Sequence, residues 1–415
     1  MQYGCIGKKL GHSFSAEIHA MLESRPYALR EVAPEELDAF MKAADFRGIN
    51  VTIPYKQAVL PYLGETDPVA QEIGAVNTVV NRGGVLCGYN TDFDGLRALL
   101  RSVGVPLSGR TVAVLGTGGT SLTAQAVARS MGAAEVIRVS RSEGEDRITY
   151  DALYRDFAHR VQILINTTPV GMFPDTDGIP ADPDRLPALE AVADAVYNPL
   201  RTRLVLRARQ RGIPAQGGLL MLAAQAVRAS EIFTGVTYPA GTAEHICAFL
   251  TEKKENIVLS GMPGSGKSTV GRLVAKRTGR RFVDLDREIA GRLTVTPAEM
   301  IRDRGEEAFR DAEAAVLGEV LTGLSGAVLA LGGGTVLRAE NVGRIRQTGK
   351  IYFLDRPVSA LIPTADRPLS ATREALERRY AERIDCYRGT ADLRVHGYTA
   401  ASEAVEIILN DRRIP

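Results

Sequence analysis

Two glycine-rich loops, each placed between an apolar run and a helical pattern, constrain the fold of this chain more than any other feature. The first lies within Val112–Ala126 and the second within Ile257–Val270. Strand–loop–helix units of this kind bind nucleotides when the backbone amides of the loop face a phosphate group. Between them, Thr251–Asn256 is an uninterrupted polar run that is hard to place in a core, and we interpret it as a surface link. The sequence therefore predicts two nucleotide-using units in tandem.

Length and composition restrict the class of protein. A chain of 415 residues exceeds what one core usually supports, and its 45% hydrophobic and 24% charged residues are typical of a globular protein. A net charge of +2 offers no basic surface for nucleic acid, and no apolar run is long enough to cross a membrane. The start of the chain lacks the pattern of a signal peptide. We therefore expect a cytoplasmic protein without a nucleic-acid or membrane partner, and the sequence leaves a homo-oligomer open.

The cysteines carry a separate constraint. The chain has four of them, at positions 5, 87, 247 and 386, with no CxxC spacing. This distribution argues against a structural metal site and against a disulfide framework. We expect reduced thiols.

Residues 1–104 alternate short apolar runs with helical patterns, which is typical of an α/β layer fold. Polar side chains interrupt the pattern in three places: Ser13 and Ser15 before a helix, Asn50, Thr52 and Lys56 after a strand, and Asn77 with Asn90-Thr91-Asp92 on the two arms of a predicted hairpin. Helix capping would explain one serine, and a solvated side chain would explain the lysine taken alone. As a set, these amides, hydroxyls, lysine and carboxylate suit a small polyhydroxylated acid.

The segments HSFS, NVTIPYK, AVNT and YNTD, in that order and spacing, resemble the substrate domain of shikimate dehydrogenase. The resemblance implies that the ring hydroxyls and the carboxylate of the substrate are held by Ser13, Ser15, Asn50, Thr52, Asn77 and Asp92. It also implies that Lys56 and Asp92 form the catalytic pair. A lysine ammonium can protonate the alkoxide formed when hydride reaches a ketone, and a neighbouring carboxylate can orient it.

The first glycine loop predicts a dinucleotide, although a GxGGxx loop alone could be a tight turn. The end of the next strand, Glu135–Val139, indicates which dinucleotide is bound, because the strand leads into Ser140-Arg141-Ser142 instead of an acidic residue. An acid there would hold the ribose hydroxyls of NAD, whereas an arginine suits the 2′-phosphate of NADP. The expected NADP-binding residues are Gly116, Thr117, Gly118, Gly119, Thr120, Ser140 and Arg141, with Arg147 either a second contact or a solvated side chain.

Three later segments, NTTPVGM, VYNP and GLLMLAAQ, also resemble this family. There Tyr197 and Gln225 would contact the substrate, and Gly218 would contact the nicotinamide end of NADP. From the residues alone, Gln225 in an apolar helix could equally have a packing role. The expected layout is a substrate domain at 1–104, completed by helices at 225–250, and a Rossmann-type NADP domain at 105–224.

After the predicted link at 251–256, residues 257–415 begin with the pattern GxxxxGK[ST] at Gly261–Ser268, between a buried strand and an amphipathic helix. The amides of such a loop hold phosphates, its lysine reaches the transferred group, and its hydroxyl binds magnesium. The expected ATP-binding residues are Gly264, Ser265, Gly266, Lys267, Ser268 and Thr269, with Ser268 also on magnesium.

The residues that follow favour an acceptor site beside this loop. Asp284 and Asp286 end a strand on the same side, and Arg310 and Glu313 share one helix face. Taken alone, these could be solvated acids and a surface ion pair. A glycine run at 332–334 permits a close approach of the backbone.

FVDLD, GEEAFRDAE, LGGGT and DRPL together resemble shikimate kinase. The resemblance implies that shikimate is bound by Asp286, Arg310, Gly333 and Arg383, with both arginines on its carboxylate. It further implies that Asp284 supports magnesium through water, that Asp286 orients or deprotonates the attacking hydroxyl, and that Arg367 closes over ATP from a lid. The lid has no basic residue before Arg367, and His396-Gly397-Tyr398 stands where the family often has an arginine against adenine.

The fold class expected is therefore α/β throughout: an N-terminal α/β substrate domain plus a Rossmann-type NADP domain, followed by a P-loop kinase α/β/α domain. The function implied is a bifunctional enzyme that reduces 3-dehydroshikimate with NADPH and phosphorylates the resulting shikimate with ATP and Mg²⁺. Two alternatives stay open. One is a quinate or shikimate/quinate dehydrogenase joined to a kinase, and the other is a dehydrogenase whose kinase-like half only binds nucleotide and regulates its partner.

Overall fold

The computed structural model describes residues 1–11, 14–22, 26–293, 297–361 and 372–412. The chain divides into two compact units, Met1–Phe249 and Leu250–Pro415. Within the described ranges, no helix combines the length and the apolar character needed to cross a membrane.

The first unit begins with a six-stranded sheet of order β2-β1-β3-β5-β6-β4. Its strands are β1 (Tyr3–Gly7), β2 (Tyr27–Glu31), β3 (Gly48–Val51), β4 (Glu65–Thr66), β5 (Thr78–Arg82) and β6 (Val85–Tyr89), and its helices are α1 (Ser15–Met21), α2 (Leu37–Ala43), α3 (Pro68–Ile73) and α4 (Asp92–Ser102). Strands β5 and β6 form the predicted hairpin, which turns at Gly83 and Gly84. Both glycines have a positive φ, which explains why no larger residue stands there.

The second sheet of this unit has the order β12-β11-β10-β7-β8-β9, and all its pairings are parallel. It consists of β7 (Thr111–Leu115), β8 (Glu135–Ser140), β9 (Ile148–Thr149), β10 (Val161–Asn166), β11 (Ala191–Asp194) and β12 (Ala215–Gln216), with helices α5 (Gly119–Ser130), α6 (Tyr150–Ala152) and α7 (Arg203–Gln210). Ala113 and Leu115 of β7 pack into one core, whereas Val112 and Val114 pack into the core on the opposite face. Burial on both faces explains the uninterrupted apolar run in the sequence.

Two further helices, α8 (Leu219–Thr234) and α9 (Thr242–Lys254), follow the second sheet. Helix α8 returns to the first sheet, where Phe233 packs against Gly48 of β3. It also approaches α4 closely, because a Cβ on Gly95 would lie 2.5 Å from the carbonyl oxygen of Met221. The segment after the second sheet therefore completes the packing of the first sheet.

The second unit is a five-stranded parallel sheet of order β14-β15-β13-β16-β17. Its strands are β13 (Asn256–Ser260), β14 (Phe282–Asp284), β15 (Val328–Ala330), β16 (Gly349–Leu354) and β17 (Leu393–Val395), and its helices are α10 (Lys267–Thr278), α11 (Leu285–Leu293), α12 (Pro297–Arg304), α13 (Glu306–Thr322), α14 (Ala339–Thr348), α15 (Arg373–Thr390) and α16 (Ala401–Arg412). Val258 of β13 faces one core, while Ile257 and Leu259 face the other. The α/β class predicted for both units is confirmed.

The polar run at 251–256 differs from the expected surface link. Residues 251–254 complete α9, and Asn256 is buried at the start of β13. The Asn256 amide accepts from the Ala327 N–H at 2.9 Å and donates to the Leu324 carbonyl at 3.2 Å. Glu252 pairs with Arg280 at 2.7 Å. Asn256 and Glu252 thus have their partners within the second unit.

Candidate active sites

A cleft of about 510 Å³ opens in the first unit and is lined by residues from both of its sheets. Its lining includes most of the predicted substrate-side residues: Ser15, Asn50, Thr52, Lys56, Asn77, Asp92, Tyr197 and Gln225, together with Thr120 and Gly218 from the predicted cofactor side. Ser13 lies outside the described residues. The fold therefore gathers into one cavity side chains that are more than 200 residues apart in the chain.

Lys56 and Asp92 form a buried ion pair in this cleft, between Nζ and Oδ2. Their side chains are only 14% and 8% exposed. Lys56 is held in place because its carbonyl accepts from the Val76 N–H at 2.8 Å, just before the hairpin. Asp92 is the first residue of α4, where the helix dipole favours a negative charge. A cation in contact with a carboxylate in this enclosed position is not the solvated lysine of the alternative interpretation.

The two asparagines of the cleft belong to a buried hydrogen-bond network. Asn50 accepts from the Tyr27 hydroxyl at 2.7 Å and donates to Thr78 Oγ1 at 3.0 Å. Asn77 accepts from the Thr91 N–H at 2.7 Å and thereby fixes the end of the hairpin beside Asp92. Sequence reasoning missed Tyr27 and Thr78. The only signal for Thr78 was a hydroxyl at the start of an apolar strand.

The first glycine loop lies directly beside the ion pair. Gly116 has a φ of +116°, and a Cβ at this position would lie 2.7 Å from Thr167 Oγ1. Helix α5 begins at Gly119, whose added Cβ would lie 3.7 Å from the Cβ of Lys56. The amino end of a helix is a favourable place for a phosphate group. The arrangement thus positions a loop suited to a pyrophosphate next to the aliphatic part of the Lys56 side chain.

The turn after β8 carries the residues predicted to select NADP. The Ser140 hydroxyl donates to the Ser142 carbonyl and accepts from the Ser142 N–H, so it holds a turn from which Arg141 is exposed. Arg138, which sequence reasoning missed, donates to the Thr117 carbonyl at 2.9 Å and forms an ion pair with Asp146. It therefore ties the glycine loop to this turn. The sequence signal that could have identified Arg138 was a charged residue inside an apolar strand.

Asp194 is a second residue that the sequence did not reveal. Its buried carboxylate accepts from Asn166 Nδ2 at 2.8 Å, from the Val196 N–H at 3.0 Å and from Thr202 Oγ1 at 2.6 Å. Burial raises its pKa from 3.8 to about 6, against the opposing effect of these hydrogen bonds. The carboxylate joins the turns after β10 and β11, and the second of these carries Tyr197.

The remaining predicted residues of this cleft have clear local roles. Gln225 Nε2 donates to the Leu222 carbonyl at 2.8 Å, one helical turn earlier. At Gly218 any Cβ would overlap the Ala195 carbonyl oxygen, so a larger residue cannot fit. The Tyr197 ring lies 5.4 Å from the Phe14 ring, and burial raises the pKa of its hydroxyl.

In the second unit, the predicted P-loop joins β13 to α10. Gly261, Gly264 and Gly266 all have positive φ angles, which explains the glycines of the motif. Lys267 Nζ donates to the carbonyls of Gly261 at 2.7 Å and Met262 at 3.1 Å.

The predicted magnesium ligands lie at the end of this loop. Ser268 Oγ donates to Asp284 Oδ2 at 2.7 Å. Hydroxyl and carboxylate oxygens are the ligand types that Mg²⁺ prefers, so these residues fit the metal that they were predicted to hold.

The glycine run at 332–334 gathers the predicted acceptor residues around one backbone segment. A Cβ on Gly332 would lie 2.8 Å from Asp286 Oδ1, and a Cβ on Gly333 would lie 3.1 Å from Pro263 Cγ of the P-loop. At Gly334 a Cβ would overlap the Arg310 guanidinium, and Arg383 Nη1 donates to the Gly333 carbonyl at 3.3 Å. Asp286, Arg310, Gly333 and Arg383 thus lie together, next to the phosphate loop.

Arg310 and Glu313 form a buried pair, so the alternative of a surface ion pair is wrong. Arg310 Nη1 lies 2.7 Å from Glu313 Oε2, and Thr335 Oγ1 donates to Glu313 Oε1 at 2.7 Å. Arg367 lies outside the described residues. Tyr398, beyond β17, is part of the core packed against α10 and α16.

Comparison with known proteins agrees with this division of the chain. The family model described as the shikimate dehydrogenase substrate binding domain matches residues 5–79, and the shikimate kinase model matches residues 263–412. The NADP(+) shikimate dehydrogenase of Symbiobacterium thermophilum is 38% identical over 264 residues, which cover 56% of this chain and 88% of that protein.

Two solved structures are also similar. The shikimate 5-dehydrogenase of Thermus thermophilus in complex with NADP(H) and shikimate has a TM-score of 0.53 and 31% identity, covering 60% of this chain and 98% of its own. The quinate dehydrogenase of Corynebacterium glutamicum in complex with NAD has a TM-score of 0.53 and 27% identity, covering 60% and 97%. The chain therefore belongs to the shikimate dehydrogenase family and carries a shikimate kinase domain in its second unit.

Proposed function

We propose that this chain catalyses two consecutive reactions of the shikimate pathway. The first unit reduces 3-dehydroshikimate to shikimate with NADPH, and the second unit phosphorylates shikimate to shikimate 3-phosphate with ATP and Mg²⁺. The observation that carries the reduction is the enclosed Lys56–Asp92 pair, which lies between the cleft amides and the glycine loop at the start of α5. All four cysteines are thiols and not disulfides, which is compatible with a reducing, cytoplasmic location, and that location belongs to the same proposal.

In the reduction, the cofactor supplies the hydride when it is bound. Lys56 donates an Nζ proton to the ketone oxygen as that oxygen becomes a hydroxyl, and it regains a proton from solvent afterwards. Asp92 keeps the ammonium in position and stabilises its charge. Asn50 and Asn77 provide polar groups for the substrate ring, and hydrogen bonds with Tyr27 and Thr91 hold them in a fixed orientation.

In the phosphorylation, the second unit positions the reactants. Lys267 reaches the transferred phosphate from the P-loop, and Ser268 and Asp284 hold the metal. Asp286, beside the glycine run, orients or deprotonates the attacking hydroxyl. Arg310 and Arg383 bind the acceptor carboxylate, and Arg367 belongs to this proposal as the residue that closes over ATP.

A coupled assay on the purified full-length chain tests both halves. With 3-dehydroshikimate, NADPH, ATP and magnesium, we expect shikimate 3-phosphate to appear as NADPH absorbance falls. NADPH consumption that ends at shikimate would contradict the second half of the proposal. The second unit would then be a nucleotide-binding, regulatory half.

A quinate substrate is the second candidate, and the similarity to a quinate dehydrogenase favours it. That relative is in complex with NAD, whereas the exposed Arg141 beside Ser140 suits the 2′-phosphate of NADP. Oxidation rates with quinate and shikimate at equal concentration, each with NADP and NAD, separate the two. A preference for quinate with NAD would replace the first half of our proposal.

A further inference from the structure

The two arginines proposed to bind the acceptor carboxylate already hold a carboxylate of the chain itself. Glu306 is the first residue of α13, and its Oε1 lies 3.0 Å from Arg310 Nη2 and 3.6 Å from Arg383 Nη2. Both guanidinium groups are buried, whereas the Glu306 side chain is 41% exposed. A glutamate thus occupies the open side of the arginine pair.

Arg379 is a third arginine that faces this glutamate. It lies one helical turn before Arg383 on α15, and its Nη2 is 3.9 Å from Glu306 Oε2. Its side chain is 15% exposed, and burial together with the neighbouring Arg383 lowers its pKa. A partly buried cation needs a counter-ion. Because Arg379 and Glu306 are 3.9 Å apart, Glu306 can still move closer to Arg379.

The cluster has as many carboxylates as arginines. Arg310, Arg379 and Arg383 face the carboxylates of Glu306 and Glu313, and the Asp286 carboxylate approaches Glu313 at Gly332. Glu313 is fully buried and fixed by the Thr335 hydroxyl.

The Glu306 side chain has more freedom to change position than the Glu313 side chain. It is half-exposed and follows Gly305, whose φ is +89°. Of the two carboxylates, Glu306 is therefore the one able to change partner.

We propose that Glu306 competes with the carboxylate of the acceptor for Arg310 and Arg383, and that Arg379 receives the Glu306 carboxylate when the acceptor binds. This inference deepens the proposed phosphorylation of shikimate and rests on it. The exchange keeps the arginines neutralised in both states, so no buried cation is left without a partner. It also makes the site selective for a ligand whose carboxylate displaces an internal one.

The test compares Michaelis constants for shikimate in ATP-dependent phosphorylation by the full-length chain. Glu306→Gln keeps the side-chain shape and removes the competing charge, so we expect the Michaelis constant to fall about two- to fivefold, the range of a partly exposed ion pair. Glu307→Gln is the matched control, because the neighbouring Glu307 pairs with Arg338 on the surface. An unchanged or higher constant for Glu306→Gln, in a chain with a normal melting temperature, would overturn the inference.

Arg379→Met tests the receiving residue. We expect it to raise the Michaelis constant for shikimate in the wild-type chain, and to change it less than about twofold when Glu306→Gln is also present. Arg378→Met, an exposed neighbour on α15, is the control. An equal increase in both backgrounds would mean that Arg379 binds the acceptor directly, and the exchange would be wrong. If the wild-type chain does not phosphorylate shikimate at all, the proposed function itself fails.

Discussion

Lys56 and Asp92 are 36 residues apart in the chain, yet their side chains form one ion pair inside the cleft of the first unit. The contact depends on two backbone restraints. Val76 N–H holds the carbonyl of Lys56, and Asn77 Oδ1 holds the N–H of Thr91, next to Asp92. The hairpin β5–β6 therefore determines the distance between Lys56, the proposed proton donor, and Asp92, the carboxylate proposed to orient it.

Replacing Lys56 should abolish the first reaction and spare the second. Lys56→Met keeps the aliphatic stem but removes the proposed proton donor, so we expect the NADPH-dependent reduction rate to fall by at least about 100-fold. Phosphorylation of shikimate by the same preparation should be unchanged. Lys42→Met is the control, because Lys42 forms an exposed pair with Asp38. A reduction rate within about tenfold of wild type would show that another group donates the proton.

Asp194 should make the stability of the chain depend on pH. Because its pKa is raised from 3.8 to about 6 on folding, the native state binds its proton more tightly than the unfolded state. Its contribution to stability is complete below the unfolded pKa and is lost as the pH rises through about 6. This step corresponds to a free energy on the order of 3 kcal/mol.

Asp194→Asn removes the titration while keeping an oxygen for the Asn166 and Val196 donors. Measured by urea unfolding of the full chain, its stability relative to wild type should increase between about pH 4 and pH 7. Asp175→Asn, at an exposed site, should show no such trend. If the stability difference between Asp194→Asn and wild type stays constant with pH, the pKa of Asp194 is not raised on folding.

The parts of this protein that the sequence revealed are those with local signals. The two strand–loop–helix units were predictable because positive φ angles at Gly116, Gly261, Gly264 and Gly266 demand glycine, and because strands buried on both faces are apolar throughout. The hairpin was predictable for the same local reason. Each of these features depends on residues within one short segment.

The residues that sequence reasoning missed depend on distant partners. Arg138, Tyr27 and Asp194 look like isolated polar residues until the fold brings Thr117, Asn50 and Thr202 against them. The burial of Asn256 in the polar run 251–256 was not predicted for the same reason, because a polar residue requires a hydrogen-bond partner, which is not always water.

Arg141 should determine the preference for NADPH over NADH. Arg141→Ala removes the exposed cation from the turn held by Ser140, so we expect the Michaelis constant for NADPH to rise at least about tenfold, with little change for NADH. Arg155→Ala, which breaks only an exposed ion pair with Asp156, should affect neither cofactor. Equal effects of Arg141→Ala on both cofactors would remove the argument for a 2′-phosphate contact.

Gly334→Ala should weaken acceptor binding in the second unit by displacing Arg310. The backbone at Gly334 has a φ of −119°, which alanine adopts without strain, but its Cβ would overlap the Arg310 guanidinium. The overlap forces the Arg310 guanidinium to move. Because it is paired with the buried Glu313, it can only reorient around that contact and no longer faces the acceptor in the same way. A charge-assisted contact with a carboxylate is worth about 1.5–3 kcal/mol, which corresponds to an increase in the Michaelis constant for shikimate of roughly 10- to 150-fold.

Gly343→Ala provides the matched control, because a Cβ there meets nothing within 4 Å in helix α14. It should leave both activities unchanged and slightly raise the melting temperature, since alanine is favoured over glycine in a helix. The Michaelis constant for ATP and the dehydrogenase rate should stay unchanged in Gly334→Ala as well, because the P-loop and the first unit are untouched. If the Michaelis constant for shikimate also stays unchanged in a Gly334→Ala chain with a normal melting temperature, Arg310 does not bind the acceptor carboxylate.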